Sequence, residues 1–139
     1  MYESYTRQSL PSKHYRELLG SAICVFNSNN GFIIENILKN PDNDESWYSL
    51  IDKTSGMLCS KLVYLKEEHR EIITEQFNKV RKMRDRIVHS YRITSPEGEQ
   101  VLATKDKNGQ QYIITEEYLL EFIKENQTLS SLLHEHRGY

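Results

Sequence analysis

The longest periodic stretch in the chain, from about Glu67 to about Tyr91 or Ile93, sets what the rest of it can become. Plotted at ~100° per residue, Ile73, Phe77, Val80, Met83, Ile87 and Val88 fall on one arc. That arc is a packing face, and a helix of this length needs other elements to cover it.

Most of the remaining sequence supplies helices. Ser12 can cap a first helix carrying Tyr15, Leu18, Leu19, Ala22, Ile23 and Phe26 at spacings of three and four. Asn27-Ser28-Asn29-Asn30-Gly31 is expected to stop it, and Phe32–Leu38 to form a short second helix. Asn40-Pro41-Asp42-Asn43-Asp44 closes that helix and leads to a segment where Trp47, Leu50 and Ile51 point inward. Thr54-Ser55-Gly56 breaks or kinks the chain before Met57–Leu65, which sets Leu58, Leu62 and Leu65 on one side of a helix. Pro96-Glu97-Gly98 ends the helical regime. Two strand-forming runs, Val101–Thr104 and Tyr112–Ile114, then flank Asp106-Lys107-Asn108-Gly109, the pattern of a β-hairpin. Thr115 can cap a last helix with Glu116 and Glu117 in its first turn and Tyr118, Leu119, Phe122, Ile123, Leu129, Leu132 and Leu133 on its packing face. The expected fold is all-α: one domain over residues 1–139, an antiparallel bundle of four to five helices. A β-hairpin at about 100–115 is inserted before the last helix.

Composition narrows the function classes. The chain has 139 residues, 37% of them apolar and 27% charged, which suits a single soluble domain with a modest core. No apolar run approaches the ~18 residues of a membrane span, and no secretory signal opens the sequence, so a cytoplasmic protein without a membrane partner is expected. The two cysteines, Cys24 and Cys59, lack CxxC spacing and lie among apolar neighbours, as buried free thiols of a reducing compartment would. A Gly-rich phosphate loop, GxSxG and HExxH are all missing, and no cofactor is implied. His134 and His136 have no nearby Cys and no second spaced pair, so no metal site is expected.

Charge is unevenly placed. Residues 79–92 hold six cations (Lys79, Arg81, Lys82, Arg84, Arg86 and Arg92) against Asp85, a net +5; with −2 for the whole chain, the remainder carries −7. One basic patch on an acidic body suits an anionic partner held at a defined place. Within it, Arg84 and Tyr91 fall inside the packing arc. An arginine there is costly to desolvate unless its five donors are satisfied, where Leu or Met would fill the position without that cost. His89, five residues on, diverges from Arg84 by roughly 140° on an ideal helix. Asp85, four residues before His89, can hydrogen-bond it. Either the helix kinks or ends here, or a second copy of the chain completes the site across a two-fold axis. A fixed cation beside an imidazole meets the needs of phosphodiester cleavage without a metal.

Arg84-Asp85-Arg86-Ile87-Val88-His89-Ser90-Tyr91 has the form Arg-polar-x3-His-x-Tyr at the end of a long helix in a helical domain of this size. It resembles the HEPN superfamily, and the Arg-x4-His-x-Tyr form is similar to the toxins of HEPN–nucleotidyltransferase pairs. The resemblance implies a homodimer whose Arg and His residues share a cleft, and a metal-independent endoribonuclease of toxin–antitoxin, abortive-infection or phage-defence systems. It casts His89 as acid or base, Arg84 as the phosphate and transition-state ligand, Asp85 as orienting group and Tyr91 as cleft lining or a target of nucleotidylation. Arg81, Lys82, Arg86 and Arg92 would hold the RNA, and an antitoxin or other regulatory protein would be a further partner. The hairpin is an addition to the minimal HEPN bundle. The alternatives are a catalytically inactive HEPN-like module binding RNA or protein, and an unrelated helical interaction module in which Arg84 and His89 sit at the surface. Burial of Arg84 separates the last of these from the other two.

Overall fold

A computed structural model of the chain describes residues 2–138. Five α-helices carry most of them: α1 (Lys13–Leu38), α2 (Trp47–Ile51), α3 (Ser55–Cys59), α4 (Glu67–Val88) and α5 (Glu116–Arg137). A 3₁₀ turn at Ser60–Tyr64 stands where a continuous helix to Leu65 was expected. Strands β1 (Tyr91–Thr94), β2 (Gln100–Lys105) and β3 (Gln111–Ile114) form a small antiparallel sheet in the order β1-β2-β3 before the last helix.

Ser12 caps α1 by accepting from the Tyr15 amide at 3.2 Å, and the helix then runs through Asn27–Gly31 without the expected stop. Tertiary contacts override local propensity here. Buried Asn29 donates from Nδ2 to the carbonyl oxygen of Asn126 (2.8 Å) and to its Oδ1 (3.1 Å). The Trp47 indole lies over Gly31, its Cη2 3.6 Å from where a Cβ would stand. The glycine serves a close approach, not a helix end.

Helices α1, α4 and α5 meet around three phenylalanines. Phe26 stacks on Phe77 with centroids 6.5 Å apart and lies 6.0 Å from Phe122. All three are buried, as are Ile73, Val80 and Ile87 of the expected α4 stripe. Burying each Phe contributes roughly 1.5–3 kcal/mol. Val88, at the rim of that arc in the final turn, is instead 50% exposed. Leu58, Leu62 and Leu65 are buried as expected. Of Trp47, Leu50 and Ile51 only Leu50 is, because the single turn of α2 can turn just one side inward. Cys24 is exposed and Cys59 only half-buried, against the expectation for both. Cys24 stands ~200° around α1 from both Ala22 and Phe26, on the face away from the core.

The hairpin is present, with Gly109 at φ +81° in its turn. It belongs to a larger unit than expected: Tyr91–Ile93, to which the long helix was expected to reach, pair together with Thr94 against β2 in the register Tyr91↔Ala103 to Thr94↔Gln100. Pro96-Glu97-Gly98 forms the turn between them, with Gly98 at φ +86°. Buried Tyr15 fastens the sheet to α1. Its hydroxyl donates to the Ile114 carbonyl at 2.6 Å and accepts from the Leu102 amide at 3.2 Å. Burial pushes its phenol pKa up. Among the described residues, no helix is long and apolar enough to cross a membrane.

Candidate functional site

The segment from Arg84 to Tyr91 spans a helix end, a turn and a strand start. His89 is the C-cap of α4 (φ −94°, ψ 45°), its amide donating to Asp85 O at 2.9 Å. Ser90 closes the turn by donating its hydroxyl to Ile87 O at 2.6 Å. The sheet holds this end in place. Thr104, buried in β2, donates to the His89 carbonyl at 3.3 Å, and Arg86 Nη1 donates to Lys105 O at 2.7 Å and Thr104 Oγ1 at 3.4 Å.

Arg84 sits one turn back with about a quarter of its side chain exposed (26%). Its guanidinium lies 5.2 Å above the centroid of the Phe26 ring, a cation–π contact from α1. Nη2 is 3.0 Å from Asp85 Oδ1, while Nε is buried without a hydrogen-bond partner. Behind it, Tyr118 of α5 donates to the Met83 carbonyl at 3.1 Å, and burial pushes its pKa up to about 12. The cation is therefore held on a built floor with donors left over.

The other sequence candidates divide. Asp85, expected to bond His89 through its side chain, spends its carboxylate on Arg84 and reaches His89 only through its backbone carbonyl. Tyr91, expected in line with Arg84, lies outside the helix because α4 ends at Val88; it is 44% exposed on β1, and its hydroxyl accepts from Gln111 Nε2. His89 is exposed, and its side chain shares no hydrogen bond or ion pair with Arg84 among the described residues. Lys82 and Arg92 are exposed, Arg92 donating to Gln100. Arg81 is half-buried and bonds Asn78 Oδ1 at 2.9 Å, Arg86 is committed in part to the sheet, and Lys79 pairs at 2.5 Å with the buried carboxylate of Glu125. The free part of the basic patch is thus smaller than its sequence.

Phe26, Thr104 and Tyr118 support the site without having been singled out for it. Phe26 and Tyr118 read as ordinary stripe residues, and which group each supports depends on helix pairing. Thr104 alone gave a signal: a hydroxyl in the buried register of a strand needs a partner.

At the opposite end of α4, His136 has a structural task. The Lys66 amide donates to its Nε2 (3.0 Å), so the proton sits on Nδ1, which donates to Asn36 Oδ1 at 3.1 Å. Burial, with Lys66 and His69 nearby, lowers its pKa. No group of three side chains able to hold a metal occurs among the described residues.

Chemically, the end of α4 offers a supported guanidinium for a phosphate and an exposed imidazole for proton transfer, on different sides of one helix terminus. No protein-family model matches the chain, and the curated proteins and solved structures give no match either.

Proposed function

We propose that the chain is a HEPN-like, metal-independent endoribonuclease. In this reading it acts as a toxin or phage-defence effector and works as a homodimer of helical bundles. The observation that carries this is Arg84: a cation in the packing stripe, resting on Phe26 with a buried Nε unbonded, one turn before an exposed histidine. A purely structural position would be served as well by an apolar residue. The divergence of Arg84 and His89 favours a cleft made by two copies, and half-exposed Val88 and Tyr91 beside His89 offer apolar surface for the second one.

In that cleft His89 takes the proton of an RNA 2′-hydroxyl as its oxygen attacks the adjacent phosphorus. The bond to the 5′-oxygen breaks, that oxygen gains a proton, and a 2′,3′-cyclic phosphate remains. Arg84 bonds the non-bridging oxygens and meets the charge that grows in the transition state. Asp85 keeps the guanidinium aligned, Tyr91 lines the cleft, and Arg81, Lys82, Arg86 and Arg92 flank the strand path.

A second reading, a HEPN-like RNA- or protein-binding module without catalysis, is favoured by one contact: Asp85 already partners Arg84 within a single chain. Incubating the purified protein with single-stranded and structured RNA in EDTA separates the two. Cleavage with cyclic-phosphate ends, lost by roughly 100-fold or more in His89→Ala, is expected. Intact RNA across varied sequences, or equal cutting by the variant, sinks the enzyme reading. A monomer by sedimentation at micromolar concentration removes the composite cleft.

A further inference from the structure

Strand β1 has β2 on one side and no strand on the other. Which backbone groups it turns outward follows from the pairing. The Ser95 amide donates to the Glu99 carbonyl at 2.7 Å, so Ser95 and Glu99 form a hydrogen-bonded pair. Antiparallel ladders alternate bonded and non-bonded pairs, which makes Ile93↔Val101 and Tyr91↔Ala103 bonded and Arg92↔Leu102 and Thr94↔Gln100 not. Leu102 agrees: its amide turns to the β3 side, where the Tyr15 hydroxyl bridges it to Ile114. The N–H and C=O groups of Arg92 and Thr94 therefore point away from β2, along the open edge.

Open edges are normally defended by an outward charge, a proline or a bulge. β1 has none of these among the described residues. Its register with β2 is unbroken from Tyr91 to Thr94, and no proline falls within it. Its one charge, on Arg92, is drawn back over β2 to Gln100, which also donates to Thr94 Oγ1 at 3.0 Å. Tyr91 is drawn the same way, to Gln111 of β3.

The edge is also self-complementary in charge. At its Tyr91 end stands exposed His89 with the basic last turns of α4. At its Thr94 end, ~13 Å away along the strand, the turn carries exposed Glu97 and Glu99. Their carboxylates share no ion pair or hydrogen bond among the described residues. An antiparallel neighbour related by a two-fold axis brings the cationic end of each copy to the anionic end of the other.

We propose that a second copy of the chain pairs along β1, Arg92 against Thr94 across a two-fold axis, so that the two three-stranded sheets become one. Each Arg92–Thr94 pair exchanges both of its N–H···O bonds, and Ile93 meets the partner subunit's Ile93 at the axis. The register that sets Arg92 on Arg92 opposes like charges. The one that sets Thr94 on Thr94 places Arg92 against Pro96, which has no N–H to give. Beyond the ladder, the His89 turn of each copy adjoins the Glu97 turn of the other. Half-exposed Val88 and Tyr91 flank the same edge. This deepens the homodimer proposed above, resting on that reading for the second copy and not for its chemistry.

Sedimentation velocity of the intact protein over a micromolar series, with RNA cleavage measured on the same samples, tests the interface. A dimer is expected. Thr94→Pro removes an outward N–H and no backbone bond within the chain, so circular dichroism should be unchanged while the dimer weakens by about tenfold or more. Glu97→Lys/Glu99→Lys should weaken it by about tenfold without altering the strand. In a Cys24→Ser/Cys59→Ser background, Ile93→Cys should give disulfide-linked dimers on mild oxidation, because facing Cβ atoms stand about 4.5–5.5 Å apart. Tyr112→Cys, in the middle of the opposite edge strand, should not. A monomer throughout, a parent-like dimer in both Thr94→Pro and Glu97→Lys/Glu99→Lys, or cross-linking through Tyr112→Cys alone overturns the interface. A dimer that Thr94→Pro disrupts but that never cuts RNA upholds the interface without the chemistry. RNA cleavage by a protein that sediments as a monomer removes the interface and leaves the chemistry.

Discussion

Replacing Arg84 by Met separates what this residue does for the fold from what it does for chemistry. Met keeps an unbranched side chain over Phe26, and its sulfur regains roughly 0.3–1.5 kcal/mol against the ring. The substitution gives up the cation–π contact, worth roughly 0.5–1 kcal/mol at a partly exposed site. It also gives up an ion pair with Asp85 that solvent screens to about 0–1 kcal/mol. Against these losses, the buried Nε that lacks a partner disappears, relieving roughly 1–3 kcal/mol of desolvation. The balance runs from about 0.7 kcal/mol destabilising to about 4 kcal/mol stabilising, with the mid-range values giving roughly 1–2 kcal/mol stabilising. Urea unfolding followed by circular dichroism should show a midpoint unchanged or raised, with the same slope. RNA cleavage by the same preparation should fall by roughly 100-fold or more, because a neutral thioether cannot meet the charge on the transition state. If the variant is destabilised by ~2 kcal/mol or more, Arg84 is a structural residue and its apparent cost was misjudged. If it cuts RNA as the parent does, the guanidinium is outside the chemistry.

Tyr15→Phe should lower stability by about 1–3 kcal/mol in the same unfolding assay, since it strands the buried Ile114 carbonyl and leaves the Leu102 amide without its phenol acceptor. Thr104→Val should cost about 1 kcal/mol of stability while lowering kcat for RNA with little change in KM, because it frees the His89 carbonyl from β2; an unchanged kcat would show that the sheet does not position His89. His136 should make stability depend on pH. Its folded pKa lies below the unfolded value of about 6.5, so its contribution is complete above that pH and is lost as pH falls through the folded pKa. Lys66, His69 and Lys39 press in the same direction and Glu68 opposes them. Unfolding midpoints at pH 7.5 and 5.5 should therefore differ more for the parent than for His136→Asn, and equal differences would refute the assignment.

Legibility in the sequence followed the range of the interaction involved. The caps Ser12 and Thr115, the Asn108-Gly109 turn and the buried positions Ile73, Phe77, Val80 and Ile87 depend on neighbours within a few residues, and they could be read. Asn29 looked like a helix stop because its partner, Asn126, is 97 positions away. The residues from Tyr91 to Ile93 looked like the end of the helix because the strand that claims them follows a turn at Pro96–Gly98. Arg84 in the packing stripe was visible as an anomaly, but the ring beneath it was not, since Phe26 reaches it only through the pairing of α1 with α4. The same blindness inflated the basic patch: Lys79 and Arg86 count as free charges in sequence and meet a buried carboxylate and a strand carbonyl in space.

The unbroken course of α1 has a mechanical consequence. A stop at Asn27–Gly31 would have placed a hinge between Phe26, under Arg84, and Phe32, which packs against His134. Without it the two rings ride on one rod, six residues or about 9 Å apart along its axis. The seat of the guanidinium is thereby tied to the contact that Phe32 makes with His134 of α5, so the two ends of this stretch are set as one rigid piece.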